Sequence, residues 1–290
     1  MTAAGWIWGE ADEAGTLNRI GPAETRRAAA LVCDGVVISL AQPLGKRTAV
    51  PPHRPGVQHF MDRDGGDYAA GARQPGGFQF AEDTLLLPLH VGTHIDALCH
   101  VWCQDRLYNN FPGSGTRSTT GAMKLGVDKM PPSVTRGVLL DFVKLRGAPL
   151  PDGAAIDAGE VERAFAAAGT TPQPGDAILM RTGWLERQQS GAAISFNDEP
   201  GIEISAARLF SAAGIALLGA DNYAIEVLPF AKGTIFPVHQ HLIRDHGMPL
   251  LEGLALADLA VQATRPFMFA MAPLPIEGGT ASPVAPMAIL

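Results

Sequence analysis

Four side chains that commonly bind metal ions fall within eleven residues of the sequence. They are His90, His94, Asp96 and His100, spaced as His-x3-His-x-Asp-x3-His. Imidazole nitrogens and a carboxylate are a frequent ligand set of catalytic divalent metals, and such a set leaves coordination positions open for water and substrate. A lone histidine is more often a buried, hydrogen-bonded core residue. Three histidines and an aspartate in one short segment instead indicate a metal site.

The backbone of this segment can bring the four side chains together. Alternate side chains of an extended chain share a face, so His94 and Asp96 are expected to point the same way. Gly92 permits a sharp turn that would bring His90 round to them. If the chain becomes helical after Asp96, His100 returns to the same face because it lies four residues further on.

A second group of potential ligands lies far downstream, at His239, His241, His246 and Glu252. Spacing alone is weak evidence for metal binding here, because histidines and glutamates on a short helix are usually solvated. From local pattern, the sequence therefore assigns no metal to this second group.

The elements that must position the first cluster alternate between strands and helices. An apolar run over residues 84–91 predicts a strand that ends at Gly92. Further strands are predicted at 36–40, 136–143, 176–183, 215–221 and 267–276, and helices at 22–32, 157–168, 205–213 and 239–246. Asp157 and Glu160 have the spacing of a helix N-cap with its glutamate. This alternation indicates a mixed α/β architecture.

One domain is predicted over residues 1–290, with no internal repeat or linker. Residues 50–77 are rich in proline, glycine, histidine and aspartate and predict a long loop, which in a compact domain is often functional. We therefore expect residues 1–80, an N-terminal arm followed by this loop, to contact the substrate or another subunit.

Composition excludes several classes of protein. The 290 residues are 47% hydrophobic and 18% charged, typical of a soluble globular protein with a sizeable core. A net charge of -7 argues against a nucleic-acid partner, which needs a basic face. No apolar run is long enough for a membrane span. The start of the chain lacks the features of a signal peptide, so a cytoplasmic location is expected. The cysteines do not indicate a disulfide framework; they are Cys33, Cys99 and Cys103.

The segment from His90 to His100 resembles the putative cyclase superfamily, which includes bacterial kynurenine formamidase and isatin hydrolase, because it matches the motif HxGTHxDxxxH. The similarity extends over nearly all of the chain, for example to Arg136-Gly-Val-Leu-Leu-Asp and to His239-Gln-x-Leu-Ile. It implies a mixed α/β single domain of the swivelling β/β/α type.

The resemblance also implies a role for each matching residue. Asp96 can bridge two metals in this family, and the residue that matches His100 acts as the general acid/base. The cofactor would be Zn²⁺ or Mn²⁺, with one or two ions per subunit. The implied metal ligands are His90, His94, Asp96, His239 and Glu252.

These expectations predict a metal-dependent hydrolase. Its substrate would be a small molecule, aromatic or cyclic, opened at an amide, cyclic amide, imide or lactone bond, so that the enzyme acts on C–N bonds other than peptide bonds. One alternative is a cyclase that acts on a polyketide-like substrate. Another is a non-haem iron oxygenase, because two histidines and a carboxylate also form its facial triad. Family members tend to be dimers or tetramers, so a homodimer or homotetramer is expected.

Aromatic residues near the predicted site are candidates for substrate binding. They are Trp6, Trp8, Phe60, Trp102 and Tyr108. Such residues are more often part of the core. Formamidase-like members place an N-terminal aromatic side chain against the substrate, which favours Trp6 or Trp8.

Overall fold

A computed structural model describes residues 7–72 and 74–290. The α-helices are α1 (Pro22–Ala29), α2 (Gly65–Ala69), α3 (Phe142–Arg146), α4 (Ala158–Ala167), α5 (Trp184–Gln189), α6 (Ile204–Ala213), α7 (Pro237–His239) and α8 (Ala257–Gln262), and a π-helical turn covers Gln240–Asp245. The strands are β1 (Val37–Ser39), β2 (Gln58–Arg63), β3 (Glu82–Leu86), β4 (His94–Asp96), β5 (Thr116–Arg117), β6 (Gly121–Ala122), β7 (Ser133–Asp141), β8 (Ala155–Ile156), β9 (Ala177–Arg181), β10 (Gly201–Ile202), β11 (Leu217–Ala220), β12 (Leu250–Glu252), β13 (Phe267–Met271), β14 (Ala281–Pro283) and β15 (Met287–Ile289).

Across the described residues, nine strands form one sheet in the order β1-β15-β13-β7-β9-β11-β12-β4-β14. The four central strands, β7, β9, β11 and β12, run parallel to one another, and the pairs on either side are antiparallel. All four residues of β11 and four of the five in β9 are buried, as is typical of parallel strands covered on both faces. The mixed α/β prediction is confirmed.

Amphipathic helices cover this sheet. Helix α1 packs against β7 and β13, and α4 packs against β7 and α6. Asp157 caps α4 as predicted, because its Oδ1 accepts a hydrogen bond of 2.7 Å from the main-chain N–H of Glu160. Phe165 of α4 and Phe210 of α6 meet with ring centroids 6.4 Å apart, which joins the helical layer to the main core.

The structure differs from the sequence-based prediction between residues 50 and 91. The predicted loop contains β2 and α2, and β2 pairs with β3 in a separate antiparallel hairpin. The apolar run of residues 84–91 was predicted as one strand, but β3 ends at Leu86 and all five of its residues are exposed. The predicted strand is therefore present only up to Leu86, and it lies in the hairpin, outside the main sheet.

Within residues 7–72 and 74–290, no helix has the length and apolar character needed to cross a bilayer.

The three cysteines are free, and Cys33 is exposed while Cys99 is buried.

Candidate metal centre

Strand β4 presents two of the predicted ligands on one face. His94 and Asp96 are both fully buried, and His94 Nε2 lies 3.8 Å from Asp96 Oδ1. Gly92 has a φ of +61°, the left-handed conformation that glycine adopts without strain. This turn brings His90 Nε2 to 3.4 Å from the same oxygen, Asp96 Oδ1. The extended strand and the glycine turn were both predicted.

His100 reaches the cluster by a different route from the predicted one. No helix follows β4, because the main-chain N–H of Ala97 continues the extended pairing by donating to Thr280 O at 3.0 Å. A tight turn closes instead, with the N–H of His100 donating to Ala97 O at 2.9 Å. His100 Nε2 consequently lies 3.8 Å from Asp96 Oδ2.

The strand register adds Glu252 to the group. Glu252 ends β12 and stands directly opposite His94 of β4 in the antiparallel pairing, where facing side chains are close neighbours. Glu252 Oε2 lies 3.1 Å from His94 Nε2. Thr93 secures this arrangement, because its hydroxyl donates to Gly253 O at 2.7 Å.

His239 approaches from α7, on the other side of Glu252. Its Nε2 lies 3.5 Å from Glu252 Oε1 and 4.0 Å from Asp96 Oδ2. Its Nδ1 is 2.6 Å from Oε1 of the buried Glu226, which also accepts the main-chain N–H of His239 at 3.1 Å. Burial alone would lower the pKa of His239, but the neighbouring carboxylates of Glu226 and Glu252 outweigh it and raise the pKa to about 10.

Two of these imidazoles are held so that Nε2 faces the carboxylates. His94 Nδ1 lies 3.0 Å from the main-chain oxygen of Gly92, and only a protonated Nδ1 can donate there. Glu226 fixes Nδ1 of His239 in the same way. With Nδ1 held in this way, it is Nε2 that would lose its proton and bind a metal.

The cluster fits a divalent metal on the evidence of its own unsatisfied atoms. Buried atoms of four side chains have no hydrogen-bond partner, and these are His90 Nε2, His94 Nε2, Asp96 Oδ1 and Glu252 Oε1. Buried polar atoms are normally hydrogen-bonded, and a cation bound between these four converging atoms would satisfy them. Two groups, each with its ligand atoms within 4.8 Å of one another, share Asp96. They are His90, Asp96 and His100, and His94, Asp96 and Glu252. Nitrogen and carboxylate ligands suit zinc, manganese or iron.

A cavity of about 620 Å³ lies over the cluster. It lies beyond the carboxyl ends of the parallel strands β11 and β12, where ligands of open α/β sheets commonly bind. Asp96, His100, His239 and Glu252 all line it. The side chain of His100 is 28% exposed while that of His94 is fully buried, so His100 is the more accessible of the two to solvent and substrate.

One of the aromatic residues predicted to bind substrate, Trp102, lines this cavity. Tyr108 does not, because it is a core residue whose hydroxyl donates to Asp12 at 3.0 Å. Phe60 lies on the exposed hairpin strand β2. Trp8 packs under the guanidinium of Arg19 instead. None of these three residues lines the cavity, and a role for them in substrate binding stays a prediction.

The predicted Trp6 lies outside the described residues. Several residues that the sequence did not single out line the cavity, namely Arg54, Phe196, Glu199, Tyr223, Phe230 and Phe236. Burial raises the pKa of the Glu199 carboxyl to about 8. Arg54 lies within residues 1–80, where substrate contacts were expected. The other five residues belong to no motif or repeated spacing that could have marked them in the sequence.

Comparisons with known proteins identify the family. The sequence model of the family described as "Putative cyclase" matches residues 29–227. No curated protein matches the chain. Among solved structures, a novel cyclase is 34% identical and superposes with a TM-score of 0.90, covering 98% of this chain and 97% of its own.

More distant structures share the fold. An isatin hydrolase bound to the product analogue thioisatinate is 24% identical, with a TM-score of 0.64 over 90% of this chain and 94% of its own. Isatin hydrolase A from Ralstonia solanacearum is 22% identical, with a TM-score of 0.65 over 87% of this chain and 91% of its own. The sequence-model match and the 34% identical cyclase establish that the chain belongs to the putative cyclase family.

Proposed function

We propose that this protein is a metal-dependent hydrolase that opens an amide, cyclic amide, imide or lactone bond of a small aromatic or cyclic molecule. The observation that carries the proposal is the set of buried imidazole and carboxylate atoms without partners beneath a cavity. The shared fold with isatin hydrolases supports cleavage of a C–N bond other than a peptide bond.

The chain's own residues would hold one or two divalent ions, Zn²⁺ or Mn²⁺. The ligands would be His90, His94, Asp96, His239 and Glu252. When bound, such an ion acidifies and orients a water molecule and polarises the carbonyl that the water attacks. Asp96 belongs to both ligand groups and would hold them next to each other.

His100 would carry the proton. It lines the cavity, and its Nε2 lies 3.8 Å from Asp96 Oδ2. In this position it can take a proton from the attacking water and return it to the leaving nitrogen or oxygen, which is general acid/base catalysis. The aromatic cavity wall would hold the ring of the substrate and exclude water from the reacting carbonyl.

Two alternatives use the same site. Ring closure of a polyketide-like substrate needs the same polarised carbonyl. The family is described as "Putative cyclase", which supports ring closure as a second candidate function. An iron oxygenase would need two histidines and one carboxylate. The cluster offers four histidines and two carboxylates, which favours hydrolytic chemistry over the oxygenase.

Metal analysis and a substrate screen test the proposal together. We expect wild-type protein to contain one or two equivalents of zinc or manganese and to hydrolyse at least one of a formamide, an isatin, a cyclic imide or a lactone. Asp96→Ala should lose both metal and activity. His100→Ala should keep the metal and lose about 10²- to 10⁴-fold in kcat.

His241→Ala is the matched histidine control, since His241 lies outside the cluster and bonds to the Ser211 hydroxyl at 2.9 Å. It should keep both metal and activity. Loss of metal from His100→Ala would make His100 a ligand. Wild-type protein that binds no added zinc, manganese or iron would refute the hydrolase proposal.

A further inference from the structure

The cavity contains one cationic side chain that the proposed hydrolysis does not use. Arg54 is half-buried and lines the cavity. Its Nη1 donates a hydrogen bond of 2.8 Å to the main-chain oxygen of His90. A guanidinium has five N–H donors, so this single bond leaves most of its donors free.

Arg54 also has no acidic partner in the described part of the chain, where no aspartate or glutamate forms an ion pair with it. The part-buried Arg181, by contrast, bonds to both Asp141 and Glu186. A half-buried, unpaired guanidinium beside a cavity is suited to bidentate recognition of a carboxylate.

The wall around Arg54 is aromatic. Its rings belong to Trp102, Phe196, Tyr223, Phe230 and Phe236. Two pairs touch each other, Phe196 with Tyr223 at 5.5 Å and Phe230 with Phe236 at 4.6 Å between centroids. Aromatic side chains of this kind supply apolar surface on which the ring of a ligand can pack. The cavity therefore combines a surface for an aromatic ring with one cation.

We propose that Arg54 is a specificity-determining residue that binds a carboxylate on an aromatic substrate, or the carboxylate that hydrolysis releases. The assignment rests on the proposed hydrolase function. The guanidinium hydrogen-bonds the residue that begins the metal cluster, and His90 Nε2 is 3.4 Å from Asp96. A carboxylate held by Arg54 thus lies next to the reacting centre. Asp96, Glu199 and Glu252 also line the cavity.

Two simple probes test this assignment by direct binding, without turnover. Benzoate carries the ring and the carboxylate, and benzamide is its neutral isostere. Isothermal titration calorimetry on the metal-loaded protein would compare wild type with Arg54→Met and Arg54→Lys. We expect Arg54→Met to weaken benzoate binding about 10- to 100-fold and to change benzamide binding less than about 2-fold. Arg54→Lys should be intermediate, because it keeps the charge but loses the planar fork.

Arg117→Met is the matched control. Arg117 is exposed, lies outside the cavity, and its Nε likewise donates to one main-chain oxygen, that of Ser114 at 3.2 Å. It should leave both affinities unchanged. Metal content and thermal unfolding of each variant show whether the cluster is intact.

Three results would overturn the inference. Unchanged benzoate affinity in Arg54→Met would mean that the metal alone binds the carboxylate. An equal loss of both probes would mean that Arg54 only supports the main chain of His90. Failure of wild-type protein to bind either probe would exclude this ligand class. Hydrolytic activity combined with benzoate binding that does not depend on Arg54 would refute only this inference. Arg54-dependent benzoate binding without any hydrolysis would refute only the proposed function.

Discussion

Glu226 is the residue that orients His239 towards the cluster. Its carboxylate accepts three hydrogen bonds, from Nδ1 of His239 and from the main-chain N–H groups of His239 and Val238. In Glu226→Gln the amide group has one oxygen for these three donors and turns its own NH₂ towards one of them. We expect metal affinity to fall about 10- to 100-fold, measured by competition with a chromophoric chelator.

Glu203→Gln is the control for this substitution. Glu203 directly precedes α6, but it is exposed and its side chain makes no capping hydrogen bond. It should bind metal as wild type does. If Glu226→Gln lowers the unfolding temperature but leaves metal affinity unchanged, Glu226 serves only to begin α7, and its assignment as a positioning residue is wrong.

At the residue scale, the sequence predicted those parts of the site that lie close together in the chain. His94, Asp96 and the turn at Gly92 followed from the two-residue period of a strand and from glycine's freedom. Glu226 and Arg54 had no such signal, because each meets its partner through the fold rather than through spacing. Glu226 lies 13 residues from His239 and Arg54 lies 36 residues from His90.

At the element scale, the position of Glu252 depends on a close approach between the end of β12 and the turn before β4. Gly253 follows β12 with a φ of +65°, and a Cβ there would meet the main-chain oxygen of Gly92 at 2.4 Å. Gly253→Ala must therefore strain the backbone and push β12 away from β4. We expect the free energy of unfolding to fall by about 3 kcal/mol or more and the metal content to fall with it, measured by urea denaturation and elemental analysis.

Gly35→Ala is the control that introduces backbone strain at a positive φ without a steric clash. Gly35 also has a positive φ, of +69°, but a Cβ there has no atom within 4 Å. Its substitution should lower stability by only about 1 kcal/mol and leave the metal in place. Equal effects of the two substitutions would show that the approach of Gly253 to Gly92 does not control the site.

Elements with strong local signals were predicted well, and elements defined by distant contacts were not. The cap of α4 at Asp157 and the apolar strands β9 and β11 are encoded locally. The hairpin of β2 and β3 was missed because β2 lies in a segment rich in proline, glycine, histidine and aspartate, which predicted a loop. Periodicity reports the residue types on each face of a strand but not whether the rest of the chain covers them.

At the scale of the whole molecule, separate parts of the chain meet at one end of the main sheet. The parallel strands β11 and β12 bring Tyr223 and Glu252 there, and β4 brings Asp96. Residues 51–54 from the N-terminal third close the cavity from another side. The sequence indicated that this N-terminal region would contact substrate. It did not indicate which strands lie beside the region, because strand order cannot be read from local patterns.

The hairpin of β2 and β3 has apolar side chains that the described residues leave about half exposed. The exposed fractions are 51% for Phe60, 49% for Met61, 48% for Leu85 and 59% for Leu86. An isolated two-stranded hairpin is marginally stable in water, and clustered exposed apolar residues commonly mark an interface. We propose that a second copy of the chain covers this hairpin in a homodimer or homotetramer.

Removing two of these side chains should dissociate the assembly. Burial of a large apolar side chain contributes about 1.5–3 kcal/mol, so Phe60→Ser with Leu86→Ser should raise the dissociation constant at least about 100-fold. Sedimentation velocity at micromolar concentration should show an oligomer for wild type and a monomer for the double variant, with metal content unchanged. Val261→Ser, at a residue that is 84% exposed on α8, should remain oligomeric. A monomeric wild type, or a double variant that stays assembled, would place the subunit contact elsewhere or exclude it.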